Sequence, residues 1–302
     1  MKSLNMESFK NQLISEVSKL MGDGFNVQLK NIKKNNGLTL EALNIVEKGS
    51  NMGPLFYLNG YEEKYKDRTV EEIAKDIIGK YMESKNISFT LESFMEFKNV
   101  KDMITFKLIN AEMNKELLEN VPHSNYLDLA LVYQLQLDIK DDATPTILVN
   151  NTLLESWKIS KDKLHEYAGI NTSKLLPYEI QSVETLIGQM MGILEEDVQT
   201  LKNEESSNVM YVLTNKKKIN GAACLLYDGV LKNFAEKYNC DFYMLPSSTH
   251  EVLLVPDNNL VNSLELQAMV KEVNATQVAP DEVLSNNVYY YSRKTGELNL
   301  VN

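Results

Sequence analysis

The sequence predicts an α+β fold: mixed, largely antiparallel sheets with packed helices, preceded by a small N-terminal helix-hairpin-helix unit. Three observations predict it. Apolar residues recur at helical spacing in several segments and alternate with polar residues in others. Short turn signals join neighbouring alternating runs, which is how antiparallel strands connect. The 302 residues are 43% apolar, enough to bury a core without disulfides or metals.

The N-terminal unit spans residues 1–90. Phe9, Leu13, Val17 and Leu20 share a helical face, with Ile14 and Met21 beside them, and Gly22 and Gly24 end the helix. Phe25, Val27 and Leu29 then alternate with polar residues, as do Leu38 and Leu40. Asn36-Gly37 between them is a hairpin signal, because both central positions of a type I′ turn need positive φ. Pro54–Leu58 reads as a third strand. Thr69 and Glu72 have the spacing of a capping box, and Val70, Ile73, Ala74, Ile77, Ile78 and Tyr81 form the buried stripe of the helix they open.

Residues 91–302 form the main region, with a subdivision expected in the acidic, polar stretch near 196–208. Strands are expected at Ile104–Ile109, Leu127–Leu137 and Thr144–Val149, with Pro145 marking a first or edge position. Residues 111–119, 151–157, 161–169 and 182–195 read as helices. The last carries Leu186, Ile187, Met190, Met191 and Leu194 at helical spacing, which predicts core packing. Trp157, closing an apolar helix, is also expected in the core. Further strands are expected at Val209–Leu213, Ala222–Leu226, Asp241–Leu245 and Glu251–Val255, with a helix over 228–238. Asn262 and Glu265 cap another helix, stapled by Val261 and Leu266. The chain closes on a hairpin, Val288–Ser292 and Glu297–Val301, in which Tyr290 faces opposite Tyr289 and Tyr291. Residues 146–157 weakly echo 223–234, each reading as strand, polar turn and helix ending on an aromatic.

A formal net charge of -11 disfavours nucleic-acid partners and anionic lipid surfaces. The basic runs Lys30, Lys33, Lys34 and Lys216–Lys218 read as solvated turns. No segment approaches the length of a membrane span, and the start lacks a secretory pattern. Together with two cysteines outside any Cys-x-x-Cys pair, this predicts a cytoplasmic protein with reduced thiols. No metal or cofactor is expected. The histidines at 123, 165 and 250 are dispersed, and the glycine-rich phosphate loops and the Gly-x-Ser-x-Gly elbow are absent.

Two segments concentrate reactive groups. In Leu245–Glu251, His250 is a candidate general base, with Ser247 or Ser248 as nucleophile and Glu251 or Asp257 orienting the ring. The simpler reading is a polar turn whose hydroxyls satisfy local backbone groups. In Val121–Asp128, His123 and Asp128 form an acid–base pair only if a turn joins them; otherwise Asp128 makes structural hydrogen bonds. The leading expectation is therefore a non-catalytic binding or regulatory protein with a protein or small-molecule partner. The alternative is a hydrolase-type enzyme centred on His250.

Several stretches resemble a bacterial family known only as domain of unknown function 5688. They are Phe106–Asn110 with Pro122-His123 and Asp128–Ala130; Ile147–Asn150 with Trp157; Leu245–Leu254; and Val288–Arg293. The resemblance spans roughly residues 90–302, with a looser match before that. It implies a bacterial, anaerobe-associated, intracellular protein and carries no activity, cofactor or catalytic residue.

Overall fold

The structure is a computed structural model that describes residues 6–50, 53–58, 67–84, 94–137, 146–192, 209–259 and 261–301. The chain divides into two compact units, Met1–Phe94 and Met95–Asn302. Helices and antiparallel strands are mixed in both, so the fold is α+β. The stretch expected to mark a subdivision, 196–208, lies outside the described residues, as do Thr144 and Pro145.

The first unit sets helices α1 (Met6–Met21) and α2 (Val70–Ser84) on the sheet β1 (Phe25–Lys33), β2 (Thr39–Glu47), β3 (Leu55–Tyr57). Leu13 and Val17 of α1, Leu43 and Ile45 of β2 and Ile73 and Ile77 of α2 form its core. The hairpin β1–β2 turns at Asn36 (φ 58) and Gly37 (φ 70), the positive angles that the Asn-Gly pair supplies at little steric cost. The capping box of α2 is reciprocal. The Thr69 amide donates to the Glu72 carboxylate at 2.8 Å, and the Glu72 amide donates to the Thr69 hydroxyl at 3.3 Å.

The second unit holds two sheets. In the smaller one, β6 (Leu129–Gln136) lies centrally and is buried along its whole length. β4 (Ile104–Asn110) pairs with one edge of it. β5 (His123–Tyr126) and β7 (Thr146–Leu148) pair end to end with the other. Short helix α3 (Phe97–Val100) precedes β4, α4 (Lys115–Leu118) joins β4 to β5 and α5 (Asn151–Trp157) follows β7, and Trp157 is buried as expected. Helix α6 (Lys161–Leu175) packs Leu164, Ala168 and Thr172 onto one face of the sheet. Thr172 Oγ1 accepts from the Phe106 amide at 3.0 Å, tying helix to strand.

The larger sheet has the order β13-β12-β10-β11-β9-β8, antiparallel throughout. Its strands are β8 (Tyr178–Ser182), β9 (Tyr211–Asn215), β10 (Phe242–Leu245), β11 (Val252–Pro256), β12 (Tyr289–Ser292) and β13 (Glu297–Leu300). α7 (Val183–Met190) follows β8 directly. One face carries an aromatic run beneath α8 (Val230–Tyr238): Tyr211, Phe234, Phe242 and Tyr291, with successive centroids 5.3, 5.0 and 4.9 Å apart. The other face packs Leu245 and Val255 against Leu266 and Val270 of α9 (Ser263–Thr276). Tyr289 and Tyr291 are buried and Tyr290 points the other way, as the alternation predicts. β12 is an interior strand and β13 the edge.

Several expectations are corrected. Ala222–Leu226 is part of a 3-10 turn, Gly221–Leu226, and not a strand. Both edges of β9 are already taken by β8 and β11, so the segment lies on the sheet face and must satisfy its own backbone. It does so through local bonds such as Ala223 N to Asn220 O at 3.2 Å and Tyr227 N to Cys224 O at 3.1 Å. The echo between 146–157 and 223–234 loses its strand for the same reason. The strand expected from Leu127 starts at Leu129, because Leu127 (φ 54) and Asp128 form the two-residue turn of the β5–β6 hairpin. The helix expected over 111–119 shrinks to Lys115–Leu118, since the Asn110 side chain accepts from the Met113 amide at 2.9 Å and stabilises a turn there. Helix 161–169 extends to Leu175, whereas the helix from 182 ends at Met190 before Gly192 turns with φ 72. Ile187, Met190 and Met191 are 51%, 89% and 70% exposed, so the stripe read as core is largely at the surface.

One carboxylate joins the two sheets of the second unit. Asp128, at the β5–β6 turn, accepts from Ser285 Oγ at 2.6 Å, from Asn287 Nδ2 at 2.9 Å and from the Tyr289 hydroxyl. Ser285 and Tyr289 are fully buried. Asp128→Ala leaves those donors without an acceptor and is expected to cost about 3 kcal/mol, read as a lower urea midpoint at unchanged slope. A midpoint within error of wild type contradicts the assignment. Burial also pushes the Cys224 thiol up to about 12. A maleimide at pH 8 is expected to spare Cys224 in the folded protein and to label it once urea unfolds the chain, scored by peptide mass spectrometry.

Candidate functional site

The His250 segment is held by backbone pairing. The Ser247 carbonyl accepts from the Leu284 amide at 2.9 Å, and the Thr249 amide donates to the Glu282 carbonyl at 2.8 Å. The Ser248 hydroxyl is buried and accepts from the His250 amide at 3.0 Å. Both ring nitrogens of His250 are engaged. Nδ1 accepts from the Asn220 amide at 3.2 Å, which places the proton of the neutral ring on Nε2, 3.3 Å from the Glu282 carboxylate. The chain approaches closely here because residue 221 is glycine: a Cβ would collide with Thr214 Oγ1 and the His250 carbonyl. Glu251 lies instead on a groove beside Leu253, and Asp257 accepts from the Tyr290 hydroxyl at 3.1 Å. The structure thus brings Ser248 to the His250 backbone and gives the ring a carboxylate, Glu282, that local sequence did not suggest.

His123 and Asp128 stand at opposite ends of β5 and its turn. His123 Nδ1 donates to the Val121 carbonyl at 3.1 Å, while Asp128 is occupied by the donors described above.

A different place collects polar side chains around open space. A cavity of 460 Å³ lies on the face of the smaller sheet, between α6 and the end of the 3-10 turn. Phe106 and Leu131 line it from β4 and β6, and Ser124, Asn125 and Tyr126 from β5. His165, Gly169 and Ser173 line it from α6, and Leu226, Tyr227 and Asp228 from the 3-10 turn and the residues after it. The geometry follows from two periodicities. Ser124 and Tyr126 are two apart on a strand and share a face. His165, Gly169 and Ser173 are four apart on a helix and share a stripe.

Hydrogen bonds order this wall. The Tyr133 hydroxyl and His165 Nδ1 share a hydrogen bond at 3.1 Å, whose donor is set by the ring's tautomer. Burial holds the Tyr133 hydroxyl above its ordinary range, although the nearby Ser124 hydroxyl pulls it down. His165 Nε2 and the Tyr126 hydroxyl have no hydrogen-bond partner among the described residues. Tyr227 spends its hydroxyl on the Leu176 carbonyl at 3.0 Å and offers its ring, which stands edge-on to Phe106 at 6.2 Å. The arrangement can donate, accept and pack, which is the chemistry of recognition.

A second, more apolar groove of 710 Å³ runs over β9 and β11 beside α7. Leu186, Met190, Met210, Val212 and Leu253 line it, with Glu179, Glu251 and Lys218 among its polar residues. Among the described residues no group of three or more His, Cys, Asp or Glu is placed to hold a metal ion. No described helix is long and apolar enough to cross a membrane.

If His250 is a structural link, His250→Ala should lower stability by about 1–2 kcal/mol in urea unfolding, through the unsatisfied Asn220 amide and lost Glu282 contact. A stability unchanged from wild type rules that role out.

The sequence resemblance concentrated attention on the His250 and His123 segments, whereas the cavity wall comes from residues it did not single out, chiefly Ser124, Tyr126, His165 and Asp228. No curated protein and no solved structure matched the chain. A family model matches residues 6–293, nearly the whole length. The chain therefore belongs to that family, described as a family of unknown function (DUF5688).

Proposed function

We propose that this chain is a cytoplasmic bacterial protein that binds a small molecule, without catalysis, in the cavity between β5, α6 and the 3-10 turn. The observation that carries this reading is the cavity itself. It is preformed, of a size typical for ligand sites, and it gathers an unpartnered tyrosine hydroxyl, an imidazole with one nitrogen free and a carboxylate from separate segments. A hydrolase centred on His250 would need a ring nitrogen ready to take a proton, and both are already in hydrogen bonds. The cytoplasmic assignment is supported by the two free cysteines. Net charge argues against a nucleic-acid partner.

Gly169 supplies a direct test. It lines the cavity, and a Cβ built on it meets nothing within 4 Å. Gly169→Phe should fold at least as well as wild type, because phenylalanine is favoured over glycine in a helix interior by about 0.5 kcal/mol. It should also fill the site. Equilibrium dialysis against a pool of polar metabolites, read by mass spectrometry, should enrich at least one compound on wild type and none on Gly169→Phe. Equal enrichment on both proteins, or none on either, overturns the proposal.

A further inference from the structure

We propose that the cavity selects a small organic cation, an ammonium group carried beside a ring and a hydroxyl, over neutral and anionic molecules of the same shape. This charge preference rests on the cavity being a binding site and adds the class of molecule that it takes. Among the described residues no lysine or arginine lines the cavity, whereas Asp228 does, and its carboxylate forms no ion pair there. Of the three lysines on α6, two are engaged elsewhere and Lys174 does not line the cavity. Lys161 Nζ donates to the His123 carbonyl at 3.2 Å, and Lys163 pairs with Glu166 at 2.9 Å. Asp162, at the start of the same helix, adds negative potential felt at the Tyr133 hydroxyl.

An anion entering here would lose its hydration opposite a carboxylate, with no cation to receive it. A neutral ligand could use the hydroxyls but would gain nothing from Asp228. A cation gains from Asp228 and from the partly exposed ring of Tyr126 that lines the same space. Burial raises Tyr126 and Tyr227 above their ordinary range, so neither ionises near neutral pH. His165 Nε2 is left to hydrogen-bond a hydroxyl of the same ligand, a group that can donate or accept. The net charge of -11 favours cation approach in general.

Three probes share one scaffold and differ in charge: phenylalaninol (cation), 3-phenyl-1,2-propanediol (neutral) and phenyllactate (anion). Isothermal titration at fixed ionic strength compares them on wild type, Asp228→Asn and Gly169→Phe. Phenylalaninol is expected to bind about tenfold tighter than the diol, with phenyllactate weakest. Because Asp228 is exposed, its substitution should cost the amine about threefold to fivefold and leave the diol unchanged. Gly169→Phe should abolish binding of all three. If the diol or phenyllactate binds as tightly as the amine, and Gly169→Phe still abolishes binding, the charge preference is wrong and the binding site stands. If none binds, or binding survives Gly169→Phe, both fall.

Discussion

The second unit depends on where the Asp128 carboxylate sits. A carboxylate taken partly out of water is costly unless its lone pairs are filled, and Asp128 fills them with Ser285, Asn287 and Tyr289. Those donors belong to the approach to β12 and to its first residue, while Asp128 belongs to the β5–β6 turn. One charge thus fixes the smaller sheet against the larger. It also holds the turn that aims Ser124 and Tyr126, at the cost of a leucine at positive φ beside it. The opposite wall of the cavity is set in the same way. Tyr227 ends the 3-10 turn on the larger sheet and bonds the Leu176 carbonyl at the end of α6. The cavity is the space left between two layers that polar contacts keep in register.

Where the physics is local, the sequence was sufficient. Asn36-Gly37 turns as read, because positive φ is a property of those residues. Thr69 and Glu72 cap as read, because both partners lie within one turn of helix. The terminal hairpin and its alternating tyrosines follow from a period of two. Where the outcome depends on distant partners, local pattern is not enough. Nothing near Ala222–Leu226 reveals that both edges of β9 are occupied, so an apolar run with strand character folds as a 3-10 turn. The methionine stripe of α7 has a helical period but no layer over its outer side among the described residues, and period alone does not say which face is covered.

The candidate site shows the same division. Leu245–Glu251 was conspicuous because hydroxyls, an imidazole and a carboxylate are consecutive there. In the structure, the segment's pairing with residues 282–285 and with Asn220 uses up much of that density. The cavity residues are ordinary polar side chains spread from Phe106 to Asp228, and no spacing rule links β5 to a turn after β9. One partial signal was present. His165, Gly169 and Ser173 recur at four-residue intervals and so share one stripe of the helix, but most of that helix is exposed and the stripe does not stand out from it.

The central claim is that the wall around His165 is an ordered recognition surface, while His250 is structural. Nitrogen NMR of the three imidazoles, recorded before and after addition of phenylalaninol, tests this most directly. The His165 signals are expected to move on addition, while those of His250, whose Nδ1 accepts from the Asn220 amide, stay in place. A His165 that ignores the ligand, or a His250 that responds to it, would contradict the assignment of the site.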